Sequence, residues 1–226
     1  QLNVLHKYKD IENIELKHTC LPISLELFDN LKKLIVNRIF FTCAYSLTNL
    51  PKLKELITDC NYSMVTYDRR LLTQVKGLER YRGTLYPIED SFSFNLIEFR
   101  GDLENKTNLI NFFNPNLLKI LDIEDSPAPD LRLFVNLEEL SVNIKFISRE
   151  ILAGMKNLKT LTITDTKYEG HILHLNILSD LINLKNLTVK CLINLEGELP
   201  VKILKDLETF ELYYNNPKTD EAIRLF

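Results

Sequence analysis

One six-residue template recurs along this chain and limits its fold more than any other feature. Leu137-Glu138-Glu139-Leu140-Ser141-Val142, Leu158-Lys159-Thr160-Leu161-Thr162-Ile163 and Leu184-Lys185-Asn186-Leu187-Thr188-Val189 are apolar at positions 1, 4 and 6, and Asn136, Asn157 and Asn183 immediately precede them. The template extends less strictly to Ile11/Ile14/Leu16, Leu31/Leu34/Val36, Leu53/Leu56/Thr58, Leu78/Tyr81/Gly83, Phe94/Ile97/Phe99, Leu118/Leu121/Ile123 and Leu207/Phe210/Leu212. About ten repeats result. Their first positions lie about 22 residues apart on average, as in a solenoid whose units run to roughly 20–29 residues, with one short step of 16 from Leu78 to Phe94. Leucine fills 42 of the 226 positions, a bias that repetition explains.

Apolar, polar, apolar at positions 4, 5 and 6 is the period of a strand with one buried face. One short strand per repeat pairs in parallel with the strands of its neighbours, so the template predicts strands near 14–16, 34–36, 56–58, 81–83, 97–99, 121–123, 140–142, 161–163, 187–189 and 210–212. Parallel strands joined by crossovers wind right-handed in nearly all cases. Helix signals lie between the strands, with Ser148 placed to cap Arg149–Met155 and an apolar pattern over Leu173–Leu181. Pro87 within the short step predicts an extended or 3₁₀ return at 85–92, and Pro127 and Pro129 an irregular link at 125–130 before a brief helical turn. Thr219 is positioned to cap a short closing helix.

The template resembles that of the leucine-rich-repeat superfamily, and the resemblance covers essentially the whole chain. Thr19/Leu21 and Thr166/Tyr168 follow the family's longer pattern at positions 9 and 11, whereas Ile39 and Lys145 replace its polar residue at position 9. This irregularity is more similar to the intracellular members, such as the repeat regions of F-box proteins. The resemblance implies an α/β fold: a right-handed solenoid with a curved parallel sheet on its concave side and short helices and irregular returns on its convex side. Residues 1–226 read as a single such domain, expected to be a piece of a longer chain.

Composition narrows the function. A formal charge of −3 and a pI near 5.9 give no general attraction to nucleic acid. No stretch approaches the roughly 18 apolar residues of a membrane span. Six glycines leave little material for a phosphate cradle, and no glycine-rich loop, nucleophile elbow or His-Glu-x-x-His occurs, so neither an enzyme nor a small-molecule cofactor is expected. His171 and His174 could share a helix face, but the segment holds no Cys or acidic cluster to complete a set, and no metal is expected. Cys20, Cys43, Cys60 and Cys191 show no paired spacing and read as free thiols. Among three sequons, Asn61 and Asn186 fall in repeat positions and only Asn105 reads as an open acceptor, so a cytoplasmic or nuclear location is favoured over an extracellular one.

Positions 3, 5 and 7 should face away from the core, on the concave surface where solenoids hold their partners. Ile35 and Ile57 are adjacent apolar residues at position 5, where solvent-facing side chains belong. Arg80, Arg82 and Arg100 form a basic cluster beside Glu98, followed by Asp122 and Glu124, with Arg82 at position 5 and Arg100 at position 7 of neighbouring repeats. Asn143 and Thr164, also at position 7, belong to the same expected surface. The cluster reads either as a cross-strand charge ladder or as an interface, in which arginine is enriched. The expected function is a non-catalytic module holding a protein partner there, as in substrate recognition by an F-box-type ubiquitin-ligase adaptor. The alternative is an extracellular or surface receptor or effector that recognises a ligand or host protein.

Overall fold

The computed structural model describes residues 10–17, 28–37, 50–59, 72, 75–85, 94–103, 109–123, 126, 131–165, 171–190, 194–200, 203, 205–216 and 219–224, with the backbone alone at 17, 37, 59, 194, 214–216 and 219–224. Within them lie the strands β1 (Asn13–Lys17), β2 (Lys33–Asn37), β3 (Glu55–Asp59), β4 (Arg80–Arg82), β5 (Glu98–Arg100), β6 (Ile120–Ile123), β7 (Glu139–Asn143), β8 (Thr160–Thr164), β9 (Ile172–His174), β10 (Asn186–Lys190), β11 (Asn194–Glu196), β12 (Thr209–Asn216) and β13 (Thr219–Arg224). One sheet runs in the order β1-β2-β3-β4-β5-β6-β7-β8-β10-β12-β13, parallel as far as β12. β9 and β11 form a separate parallel ribbon. The chain is thus a parallel-strand solenoid, and as far as β12 the strands of its large sheet overlap the expected positions.

Most of the described units enter their strands in the same way, while Leu118 and Leu207 donate one residue further back, to Asn114 and Ile203. The N–H of the position-1 leucine donates to the carbonyl three residues back, as in Leu31 to Phe28 (3.0 Å), Leu53 to Leu50 (3.2 Å), Leu137 to Phe134 (3.3 Å), Leu158 to Met155 (3.2 Å) and Leu184 to Leu181 (3.1 Å). The accepting residues are all buried. A tight turn therefore pins an apolar side chain on one side of the core and delivers the leucine to the other, which saves backbone polar groups from burial without a partner. The next residue, at position 2, then accepts from the following unit: Lys32 and Lys33 both donate to the Glu12 carbonyl, at 2.7 and 2.9 Å.

Among the described residues the returns contain few helices. A single turn at Arg149–Leu152 is the α-helix with described caps, and the Ser148 hydroxyl accepts from the Ile151 N–H as expected of an N-cap. Elsewhere the returns use 3₁₀ turns at Leu109–Asn111, Leu131–Leu133, Ile144–Phe146 and Leu175–Leu178. The brief turn after the 125–130 link is one of these; the return expected at 85–92, apart from Leu85, and the link itself, apart from Ser126, lie outside the described residues. The expected helix over Leu173–Leu181 is instead strand β9 followed by a 3₁₀ turn, because Ile172–His174 pairs with Asn194–Glu196 in the ribbon.

Two further expectations are corrected. Leu96, not Phe94, is the position-1 residue of its unit: Tyr81 pairs with Phe99 and Arg82 with Arg100, while the Ile97 N–H donates to Glu79 as a position-2 residue does. The step from residue 78 is then 18, not 16, and Asn95 before Leu96 repeats the asparagine signal of the regular units. Ile97, expected in the core, is 38% exposed, and Phe94 is buried in the return, bridged to Phe113. At the other end, Thr219 begins β13, not a helix; Thr219–Arg224 runs antiparallel to β12. The last parallel strand presents a row of unpaired N–H and C=O groups, and a strand folded back on it satisfies that row where a short helix would not.

Among the described residues leucine dominates the core, and one section is built from neighbouring aromatic rings. Tyr81 and Phe99 occupy position 4 of neighbouring strands with ring centroids 6.0 Å apart, and Phe113 lies 5.0 Å from Phe99. The corresponding position-6 residues are Gly83 and Gly101, at φ +149° and +141°. The large rings fill the layer that a position-6 side chain would otherwise take, and the Tyr81 hydroxyl reaches Thr58 Oγ1 at 3.1 Å.

Candidate functional site

The solvent face of the sheet is built from rows, because parallel register places equal template positions side by side. The position-5 row runs Glu15, Ile35, Ile57, Arg82, Arg100, Asp122, Ser141, Thr162, Thr188, Glu211. The position-3 row beside it includes Lys33, Glu55, Arg80, Glu98, Ile120 and Glu139. Moving the 96–101 unit by two residues preserves strand parity, so Glu98 and Arg100 stay on the expected face. Their neighbours change: Arg100 sits at position 5 directly beside Arg82, and Glu98 directly beside Arg80. Position 7 leaves this surface on β7 and β8, although Lys190 at position 7 of β10 is exposed. Asn143 and Thr164 are 4% and 2% exposed, because the chain turns into its return there and Asn143 Oδ1 accepts from the Lys145 N–H to cap a 3₁₀ turn.

Arg100 is the hub of the charged cluster. Its Nε donates to Glu98 Oε1 at 2.7 Å, and its Nη1 lies 2.9 Å from Glu139 Oε1 and 3.7 Å from Asp122 Oδ2. Partial burial works against the charged guanidinium, but the hydrogen bonds it donates to Glu139 and Glu98 outweigh it and hold the pKa above its ordinary value. Arg80 Nε is 3.7 Å from Glu98 Oε2, a longer contact on a side chain that is 53% exposed. Among the described residues the Arg82 guanidinium has no hydrogen bond or ion pair, and Arg82 is exposed. Of the expected site residues, the structure brings together Arg80, Arg82, Arg100, Glu98 and Asp122; Glu124 lies outside the described residues.

Ile35 and Ile57 are direct Cα partners on β2 and β3, pointing away from the buried Leu34, Val36 and Leu56, and Ile57 is in turn the partner of Arg82. The Lys33–Glu55 ion pair, at 2.6 Å, runs alongside them in the position-3 row. Sequence reasoning missed that pair and Glu139, because it compared residues along positions 5 and 7 and not along position 3. Reading Lys33, Glu55, Arg80, Glu98 down that row would have shown the alternation of sign.

A second charged row lies at position 2, on the edge where turns become strands. Lys32 pairs with Glu12 (2.5 Å), Lys54 with Glu79 (2.6 Å), Lys119 and Lys159 with Glu138 (2.8 and 2.7 Å), and Lys185 with Glu208 (2.5 Å). Hydrogen bonds from Lys119 and then Lys159 hold the Glu138 carboxyl down to about 2. A depressed carboxylate contributes stability above its unfolded value, and the contribution is lost as pH falls towards the folded value. In a carboxyl-detected NMR titration, Glu138 is expected to remain ionised at pH 3, and Lys119→Ala with Lys159→Ala should return its midpoint to the ordinary glutamate range. A wild-type midpoint above 4 would contradict the double contact.

The two histidines do not share a helix face. His171 precedes β9 and its Nδ1 lies 3.2 Å from the buried Asp165, while His174 Nδ1 lies 3.3 Å from Glu196. Among the described residues no group of three His, Cys, Asp or Glu side chains gathers as a metal site, and no helix is long and apolar enough to cross a membrane. All four cysteines lie outside the described residues.

No protein-family model matches the chain, and no curated protein matches it. Among solved structures it is similar to internalin C2 from Listeria monocytogenes, at 16% identity over 93% of this chain and 84% of that one, with a TM-score of 0.49. It is also similar to a chain of an octameric complex of Latrophilin 3, Unc5D and FLRT2, the last represented by its leucine-rich-repeat part, at 16% identity over 94% of this chain and 70% of that one, with a TM-score of 0.49. The description of this chain as a parallel solenoid rests on its strand pairing.

Proposed function

We propose that this protein is a non-catalytic interaction module that holds a protein partner on the solvent face of its sheet, centred on Ile35, Ile57, Arg80 and Arg82. One observation carries the reading. On a face where Lys33, Arg80 and Arg100 are matched to carboxylates, Arg82 is exposed with no partner among the described residues, beside two half-buried isoleucines that point to the same side. An aliphatic patch with an available guanidinium has the composition of an interface core, and matched charges around it suit a rim. Arg100, Glu98, Asp122 and Glu139 form the cross-strand ladder, and their role is to hold the face in shape.

A photo-crosslinking amino acid placed at residue 82 should capture a partner that the same group at residue 162 does not. Arg82→Glu should then weaken binding of the captured protein more than tenfold, about 1.4 kcal/mol, and leave the melting temperature nearly unchanged. Thr162→Glu, on the Ser/Thr stretch of the same row, should matter less. Equal calorimetric affinities for wild type and Arg82→Glu would assign Arg82 to the ladder as well.

In the intracellular version of this reading, the module selects substrates for an F-box-type ubiquitin-ligase adaptor in the cytoplasm or nucleus. In the second version, it is an extracellular or surface receptor or effector. The sequon at Asn186 supports the first: its amide donates to Thr160 Oγ1 at 3.3 Å and accepts from the Thr209 hydroxyl at 2.8 Å, so the glycan acceptor is engaged within the sheet. Intact mass with thiol titration separates the versions. Four free thiols and an unmodified mass are expected, and a glycan on Asn105 or paired cysteines would move the reading outside the cell.

A further inference from the structure

We infer that the partner segment held on this face is an extended, acidic stretch of protein, which places one aliphatic side chain over Ile35 and Ile57 and a carboxylate two residues further along on Arg82. The inference rests on the reading of this face as the interaction surface and adds the chemistry of the occupant.

The spacing comes from the register. Ile35, Ile57 and Arg82 are consecutive members of the position-5 row. Neighbouring strands lie about 4.8 Å apart, so Arg82 is about 7 Å along the row from the middle of the isoleucine pair. Side chains on one side of an extended chain repeat every two residues, at about 6.6 Å. A segment lying along the row, across the strands, therefore meets the isoleucines with residue i and the guanidinium with residue i+2. The width points the same way. The Lys33–Glu55 pair and the Arg80–Glu98 contact run beside the row at position 3, so the apolar strip is closed by charge along that side. A single extended chain suits that strip, whereas a helix, about 10–12 Å across, would set its flank on the ion pairs.

The sign of the charge follows from what surrounds Arg82. Its Cα partner on β5 is Arg100, itself 30% exposed, so a carboxylate arriving at Arg82 is attracted by two guanidiniums. The nearby carboxylates, Glu98, Asp122 and Glu139, already point at Arg100. A lysine at the same place would meet like charge on Arg82, with no acid turned towards it among the described side chains. The face therefore discriminates by repulsion as well as attraction, and a guanidinium can receive a carboxylate in bidentate fashion.

Random dodecamer peptides displayed on phage and selected on the full chain test this directly. Recovered peptides are expected to carry Asp or Glu two residues from Leu, Ile, Val or Met. In fluorescence-anisotropy titrations with the synthesised peptides, Arg82→Glu and Ile57→Lys should each weaken binding at least tenfold, Thr162→Glu should change it less than threefold, and replacing the peptide acid by lysine should restore binding to Arg82→Glu. Circular-dichroism melting of each variant checks that it folds. Peptides that lose affinity on Ile57→Lys but carry no acid and ignore Arg82→Glu would overturn the acidic-segment inference and leave the interaction reading standing. Peptides indifferent to both substitutions would overturn the two together, and failure to recover any binding peptide would overturn the inference alone.

Discussion

Truncating Leu161 to alanine is expected to destabilise the protein by about 2–5 kcal/mol. Leu161 is the position-4 residue of β8, fully buried, with Leu140 and Leu187 as its partners on the flanking strands. A solenoid core is one unit thick, so this side chain bridges its own turn to both neighbours, and its loss opens a cavity that three turns would have to close together. Thr162→Ala, one residue away on the solvent face, should cost only a few tenths of a kcal/mol, as surface changes do. Urea denaturation of both variants measures the difference. A loss below about 1 kcal/mol for Leu161→Ala would mean that position 4 does not carry the core.

Replacing Gly101 by alanine should be at least as damaging, by about 3 kcal/mol or more. Gly101 has φ +141°, and an added Cβ would lie 2.1 Å from the Gly83 carbonyl oxygen and 2.8 Å from its carbonyl carbon. The obstacle is backbone, which cannot swing aside as a side chain can. Backbone strain in this region costs roughly 1–3 kcal/mol for a residue other than glycine, and overpacking adds a similar amount. The two glycines are stacked in the sheet layer beside the Tyr81 and Phe99 rings, so relief at Gly101 requires β4 and β5 to separate. Gly77→Ala is the control: its nearest neighbour would lie 3.7 Å away, an ordinary contact. Thermal unfolding of the pair should show a large drop for Gly101→Ala and little change for Gly77→Ala. Similar midpoints for the two would refute the close stacking.

Much of the solenoid was legible in the sequence, because the signals that write it are local. Alternation over three residues determines which side of a strand is buried, and that property survives even where the unit boundary is misplaced by two, as it was at Phe94 and Leu96. Glu98 and Arg100 were for this reason placed on the correct face from a wrong starting residue. Asn95 carried the missing correction, since the same asparagine precedes the position-1 leucine at 136, 157 and 183. The Ser148 cap was likewise readable, because it acts within one turn of chain.

The local pattern thus writes the periodic part: a strand in each turn, its buried and solvent faces, and the apolar layer between them. Which residues are neighbours across the sheet follows only from assembly, because register joins segments some twenty residues apart through backbone hydrogen bonds that no side-chain pattern spells out. Arg100 is held by Glu139, which lies two strands away, while Arg82, of the same residue type in the adjacent strand, is left exposed. Asn143 and Thr164 are buried although strand parity puts them on the solvent face, since the chain bends there into its return. The segment after Thr219 became a strand and not a helix because the last parallel strand left its backbone groups open, a demand made by the assembled sheet and absent from the local sequence.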